Sequence, residues 1–316
     1  MLLNNITPVN KSLTLQDLLG ILSHSSAISN VANGIYVESE ILEVGSWLSA
    51  YAANKDEIFS KIITELENPY QFQLENDIQA PSFILYSNER ITIRLVMWLP
   101  LQGKLDRTPY SYEEAHDHNF DFWTVNFFGG GYRTRLYDYD YDKVSGVNNE
   151  VVELNCYGDK ILSPNTVMFY FRSKDVHTQY PPDELSVSLN LIVRPIKSKH
   201  QYEFQIDSDA LEGKIEARIK KGRYERYAFQ NVLYNGLLSL ENEKSRQLVH
   251  KVSLCNHREE IRLIAYEALL KHAQKKGNVS DIKSISEQAF KDQSLYIKNK
   301  ISHSIGSMPC MSPKPR

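Results

Sequence analysis

His116 and His118 stand one residue apart, just ahead of the aromatic run DFWTVNFF at 121–128. In an extended backbone, residues i and i+2 project from the same face, so both imidazoles could enter one cavity and share a cation. Asp121, three residues on, could add an oxygen. Much later in the chain, in SKDVHTQYPP, comes His177. A histidine pair on one strand and a third from a neighbouring strand make a nitrogen set that holds one metal ion and leaves positions open for water, substrate or dioxygen. Ligating imidazoles need acceptors that fix their tautomers, and Asp117, Asp121 and Asp175 are the carboxylates near enough in sequence.

Other residues could act on a substrate held there. Arg94, Arg133, Arg135 and Arg172 lie along runs that read as strands. A guanidinium turned inward from any of them would clamp a carboxylate through two parallel hydrogen bonds. Tyr132, Tyr137 and Tyr170 could donate a phenolic proton to an oxygen in the site. Asn190 interrupts the alternation of SVSLNLIV and falls on the face of Ser186 and Ser188, opposite Leu189, Leu191 and Val193. The expected catalytic set is therefore Tyr132, Arg94 and Asn190 around a metal on His116, His118 and His177.

The elements that would position these residues divide the chain into three parts. Residues 1–78 read as an N-terminal helical segment, with Thr14 capping LQDLLGILS and a second helix in NKDEIFSKIITELEN. Across 79–206 the period becomes two. SFILYS, ITIRLVMWL, DFWTVNFF, YRTRLYDYD, EVVELN, TVMFYF, SVSLNLIVR and QYEFQI are short, aromatic and β-branched. GGG at 129–131 reads as a hairpin turn, and YGDK at 157–160 and PPD at 181–183 as further turns. Consecutive strands without helices between them predict an antiparallel sandwich or barrel. From 207 to 316 helical spacing returns, beginning with ALEGKIEARIKKGRYERYAFQNVLYNGLLSL. REEIRLIAYEALLKHA resembles one helix of a HEAT-type repeat, and this third segment is expected to cap the barrel or to pair two copies as a homodimer. The class is α+β.

Composition narrows the partners. A net charge of -3 gives no basic surplus for nucleic acid or an anionic membrane. The three cysteines, Cys156, Cys255 and Cys310, are too dispersed for a disulfide framework, and no apolar run is long enough for a membrane span. The expectation is a cytoplasmic protein that binds a small-molecule substrate.

Residues 90–195 resemble the cupin superfamily, and within it the cysteine dioxygenase (thiol dioxygenase) branch. The resemblance lies in His116-Asp117-His118 before an aromatic strand and the Gly129–Gly131 turn, then in Gly158, Pro164 and His177, and in the order HDH, FFGGGYRTRLYDYD, DVHTQYPPDELSVSLNLIV. It implies a double-stranded β-helix, or jelly-roll, barrel in which the three histidines hold Fe(II), with dioxygen and substrate bound side by side. The chain departs from that pattern at Phe122 and Trp123, where a glutamate is usual, and at Asn190 and Ile192, where the branch carries a late His-x-Tyr pair. Trp123 also stands where many thiol dioxygenases carry a cysteine. The leading expectation is a non-haem iron oxygenase acting on a small polar metabolite such as an amino acid or thiol. Alternatives are a Zn or Mn cupin acting as a Lewis acid (isomerase, lyase or hydrolase) and a non-catalytic sensor or interaction protein.

Overall fold

The structure, a computed structural model, describes residues 2–5, 12–68, 73, 81–101, 111–197, 199–221, 227–256 and 258–306. The chain forms two compact units, Met1–Gly222 and Arg223–Arg316.

The first unit begins with strand β1 (Leu2–Asn5) and helices α1 (Leu15–His24), α2 (Ser26–Asn33), α3 (Glu38–Ala52) and α4 (Lys55–Leu66). Thr14 caps α1 as expected: its hydroxyl accepts from the Asp17 N–H while the Asp17 carboxylate accepts from the Thr14 N–H, a reciprocal box that satisfies two orphan donors. Strands β2 (Ser82–Ser87), β3 (Ile91–Trp98), β4 (Ala115–Asp117), β5 (Asp121–Phe128), β6 (Arg133–Asp138), β7 (Val151–Ile161), β8 (Thr166–Tyr170), β9 (Asp175–Gln179), β10 (Ser186–Val193), β11 (Glu203–Ile206) and β12 (Gly213–Lys221) follow.

They form two antiparallel sheets, β1-β8-β5-β10-β3-β2 and β11-β12-β7-β6-β9-β4. If β3 is counted as the first strand and β10 as the eighth, the sheets read 6-3-8-1 and 5-4-7-2, which is the jelly-roll order. The expected α+β class is observed, with an antiparallel barrel that has helical segments before and after it in the chain. In addition, β11 pairs with β12 and β4, and β12 with β7, so the second sheet closes on itself as a small barrel.

Three cores follow from strand alternation. The outer face of the first sheet (Ile93, Leu95, Trp123, Val125, Leu189, Leu191) packs under the helices against Leu18, Leu48 and Tyr51. Each such buried side chain stabilises the fold by roughly 1.5–3 kcal/mol. Between the sheets lie Val96, Trp98, Phe122, Tyr132, Leu136, Met168 and Tyr170. Inside the small barrel lie Tyr137, Tyr139, Tyr141, Leu154, Val176, Tyr202, Phe204 and Ile219.

Three sequence expectations are corrected. Residues 213–221 form a strand, not the start of a helix; Ile215, Ala217 and Ile219 alternate into the small barrel while Lys, Glu and Arg between them face water. The first compact unit accordingly runs on through β12 to Gly222. YGDK lies within β7, where Gly158 at φ +78° and a register shift opposite Arg135 and Tyr137 mark a bulge instead of a turn. The glycines at 129–131 join β5 to β6, which belong to different sheets, so they make a crossing between sheets and not a hairpin. Gly131 has φ +90°, and a Cβ there would lie 2.0 Å from the Leu162 carbonyl oxygen. Gly131→Ala is therefore expected to cost at least about 1–3 kcal/mol, read as a lower denaturant midpoint with unchanged slope.

The second unit is helical: α5 (Ala228–Ser239), α6 (Glu243–Cys255), α7 (Glu259–Lys275), α8 (Val279–Phe290) and α9 (Leu295–Gly306). Helix α7 is its buried centre, through Leu263, Ile264, Tyr266, Leu269 and Leu270, and a bidentate Arg262–Asp292 pair braces it against the segment after α8. Among the described residues no helix is long and apolar enough to cross a membrane.

Candidate metal centre

Strands β4 and β9 run antiparallel with His116 opposite His177, and Leu136 of β6 continues the row. Cross-strand partners share a face, so this row turns toward the first sheet. The next row, Asp117, Val176 and Tyr137, turns into the small barrel. His118 follows the end of β4 and returns to the His116 face. One ring nitrogen from each of His116, His118 and His177 lies within 4.8 Å of the others, so the three could hold a metal ion. His177 is buried and the other two are half-buried.

The residues fit a cation on chemical grounds. His116 Nδ1 lies 2.9 Å from the Glu114 carbonyl oxygen, which can only accept, so Nδ1 carries the proton and Nε2 a lone pair. That Nε2 is 3.2 Å from His177 Nε2. Two lone pairs at this distance repel unless a proton or a metal ion lies between them. His118 Nδ1 and His177 Nδ1 are buried with no hydrogen-bond partner. Such atoms cost about 1–3 kcal/mol each when left unmet. Burial pushes all three imidazoles below their usual range, His118 and His177 well below it, and their mutual proximity adds to the effect on those two. Neutral rings are the form that ligates metal.

The surroundings are aromatic. Phe120 stacks on His118 at 4.6 Å, Phe122 meets it edge-on at 5.0 Å, and Tyr170 packs edge-on to His177 at 4.8 Å. Phe122, at the position where the resemblance implies a glutamate, is thus part of an apolar shell, stacked on Tyr170. Trp123 faces away from the site, under the helices, with Nε1 donating to the Ile41 carbonyl at 2.8 Å.

The carboxylates expected near the rings are engaged elsewhere. Asp121 is not in the histidine cluster. It is fully buried and accepts from Tyr36 Oη (2.9 Å), from the Arg172 backbone N–H (2.9 Å) and from the Arg172 guanidinium. Asp117 points into the small barrel and accepts from Tyr139 Oη at 2.7 Å and the Tyr202 N–H at 2.6 Å; burial pushes its carboxyl up to about 7. Asp175 accepts from the Phe171 N–H at 2.9 Å. Of the four arginines, Arg133 and Arg135 pair with Asp159, and Arg172 with Asp121. Tyr137 belongs to the small barrel.

The other sequence candidates are brought together. Arg94, Asn190 and Thr124 are successive cross-strand neighbours on β3, β10 and β5, facing the space between the sheets. Arg94 Nε is buried without a hydrogen-bond partner, and the guanidinium lies close enough to His118 and Tyr132 to act on both electrostatically. Burial lowers its pKa to about 10, which leaves it charged at neutral pH. Asn190 accepts from Thr124 Oγ1 at 2.7 Å, which leaves its N–H groups to donate. Tyr132 packs on Trp98 at 4.7 Å beside Ser188, and burial raises its hydroxyl to about 12, so it is a proton donor at neutral pH. Sequence reasoning missed Glu203, which stands opposite His116 on β11.

No protein-family model and no curated protein matches this chain. Solved structures similar to part of it include a DMSP lyase, DddQ from Ruegeria pomeroyi DSS-3 (10% identity, 38% of this chain and 49% of that one, TM-score 0.25). A second structure of DMSP lyases gives 13% identity, 35% and 46% coverage and a TM-score of 0.23. A cupin domain from Bordetella pertussis Tohama I gives 13%, 36% and 93%, with a TM-score of 0.23. The chain spans about half the length of the two lyase structures. Likenesses this slight carry no argument, and the jelly-roll assignment rests on strand pairing alone.

Proposed function

We propose that the chain is a mononuclear non-haem iron(II) oxygenase that uses dioxygen on a small polar metabolite such as an amino acid or thiol. The observation that carries this reading is the convergence of His116, His118 and His177 inside a jelly roll, with no carboxylate in the cluster among the described residues. These three would hold the ion, and iron there would supply the one-electron chemistry that dioxygen requires. Arg94, a half-buried cation whose Nε is buried without a hydrogen-bond partner and which has no salt bridge among the described residues, binds and orients an anionic group of the substrate. Asn190 donates a second, neutral hydrogen bond from the adjacent position. Tyr132 holds its proton at Oη and donates it to an oxygen brought between the sheets. Phe120, Phe122 and Tyr170 keep water from the rings and strengthen each of these contacts.

Elemental analysis of protein purified without chelator or metal resin tests this, followed by oxygen-uptake assays against thiols and amino acids. Near-stoichiometric iron and substrate-dependent uptake are expected. Zinc or manganese without oxygen uptake would replace oxygenase with Lewis-acid chemistry, and failure to take up any metal, even after anaerobic iron addition, would end the metal-centre reading.

A further inference from the structure

Two half-buried side chains of opposite formal charge flank the histidine cluster, each with one buried polar atom unmet. Arg94 Nε is one, on the side of the first sheet. The other is Glu203. It lies directly opposite His116 in the β11–β4 pairing and so shares the face of the three rings, whereas its neighbours Tyr202 and Phe204 turn into the small barrel. Glu203 Oε1 accepts from Lys221 Nζ at 2.7 Å, which fixes the carboxylate, while Oε2 is buried without a hydrogen-bond partner. Its charge reaches His116 electrostatically. A buried carboxylate oxygen with no donor is costly, and a site leaves such an atom unmet where a ligand supplies the donor.

We propose that Glu203 is a specificity-determining residue that accepts a hydrogen bond from a cationic group of the substrate, so that Glu203 and Arg94 together select a zwitterion. The inference rests on reading the three histidines as a metal centre. Strand β11 lies outside the eight strands of the jelly roll, so the contact comes from the addition that closes the small barrel.

The test uses the full chain loaded with cobalt(II), whose visible spectrum reports ligand binding without turnover. The probes are L-cysteine and 3-mercaptopropionate, which share a thiol and a carboxylate and differ in the ammonium group. The unaltered protein is expected to bind cysteine at least about tenfold more tightly. Glu203→Gln should abolish that preference and leave 3-mercaptopropionate within about twofold, Glu203→Asp should restore part of it, and Arg94→Gln should weaken both probes. An unchanged preference in Glu203→Gln would overturn the proposal, as would a cobalt spectrum that neither probe perturbs. A protein that takes up no cobalt fails one step earlier, before any probe is added, and overturns the metal-centre reading together with this inference.

Discussion

His177→Ala is expected to lower bound metal by at least about tenfold, and His116→Ala and His118→Ala by similar factors, since even groups behind the ligands are worth 10–100-fold. His177 has the largest expected effect because it is the most deeply buried of the three and sits between His116 and the Tyr170 ring. His272→Ala, in the last turn of α7 in the second unit, provides the control and should leave metal content unchanged. Metal analysis and thermal melts on the same samples separate lost ligation from lost folding. Equal metal in His177→Ala and in the unaltered protein would remove the centre from consideration.

The second large effect concerns Arg172 and Asp121. The guanidinium reaches the Asp121 carboxylate and also the Val31 carbonyl at 2.8 Å, near the end of α2, while the backbone N–H of the next residue, Ser173, donates to the His118 carbonyl at 2.8 Å. One side chain thus ties the turn after His118, the loop leading to His177 and an N-terminal helix. Arg172→Met leaves a buried carboxylate without its cation, a change that costs about 3–5 kcal/mol. For a unit of this size that is a fall in Tm of roughly 10 °C. Removing both charges, as Arg172→Met with Asp121→Leu, should cost less than the single change, because no uncompensated charge remains. A double variant no more stable than the single would show that the site fails by lost packing.

The strands of the first sheet were legible because one face is apolar under the helices and the other is mixed: SVSLNLIV alternates, and Asn190 was placed on the inner face from that alternation alone. The histidine set was legible because i, i+2 spacing survives folding. Two kinds of element escaped. β12 is built of Lys, Glu, Arg and Ala, whose helical propensity outweighed the alternation of Ile215, Ala217 and Ile219. β9, DVHTQ, is buried at every position while carrying four polar residues, so neither polarity nor period marked it as a strand. The partners of Asp121 and Asp117 were hidden for another reason. Arg172, Tyr36, Tyr139 and Tyr202 reach them from distant parts of the chain, through contacts that only the fold creates. Glu203 escaped because β11 is added to the sheet from beyond the resembling segment.

Strands β4 and β9 are a party wall. The rings project on one side, and on the other Asp117 and Val176 are locked among the tyrosines of the small barrel, with β6 and β11 bonded along the two edges. Close packing on the barrel side and bonded strands along both edges leave such a wall little room to flex. The floor of the candidate centre is thus braced, and any breathing that admits a reactant is expected from the opposite sheet or from the rim, not from the residues that could hold a metal ion.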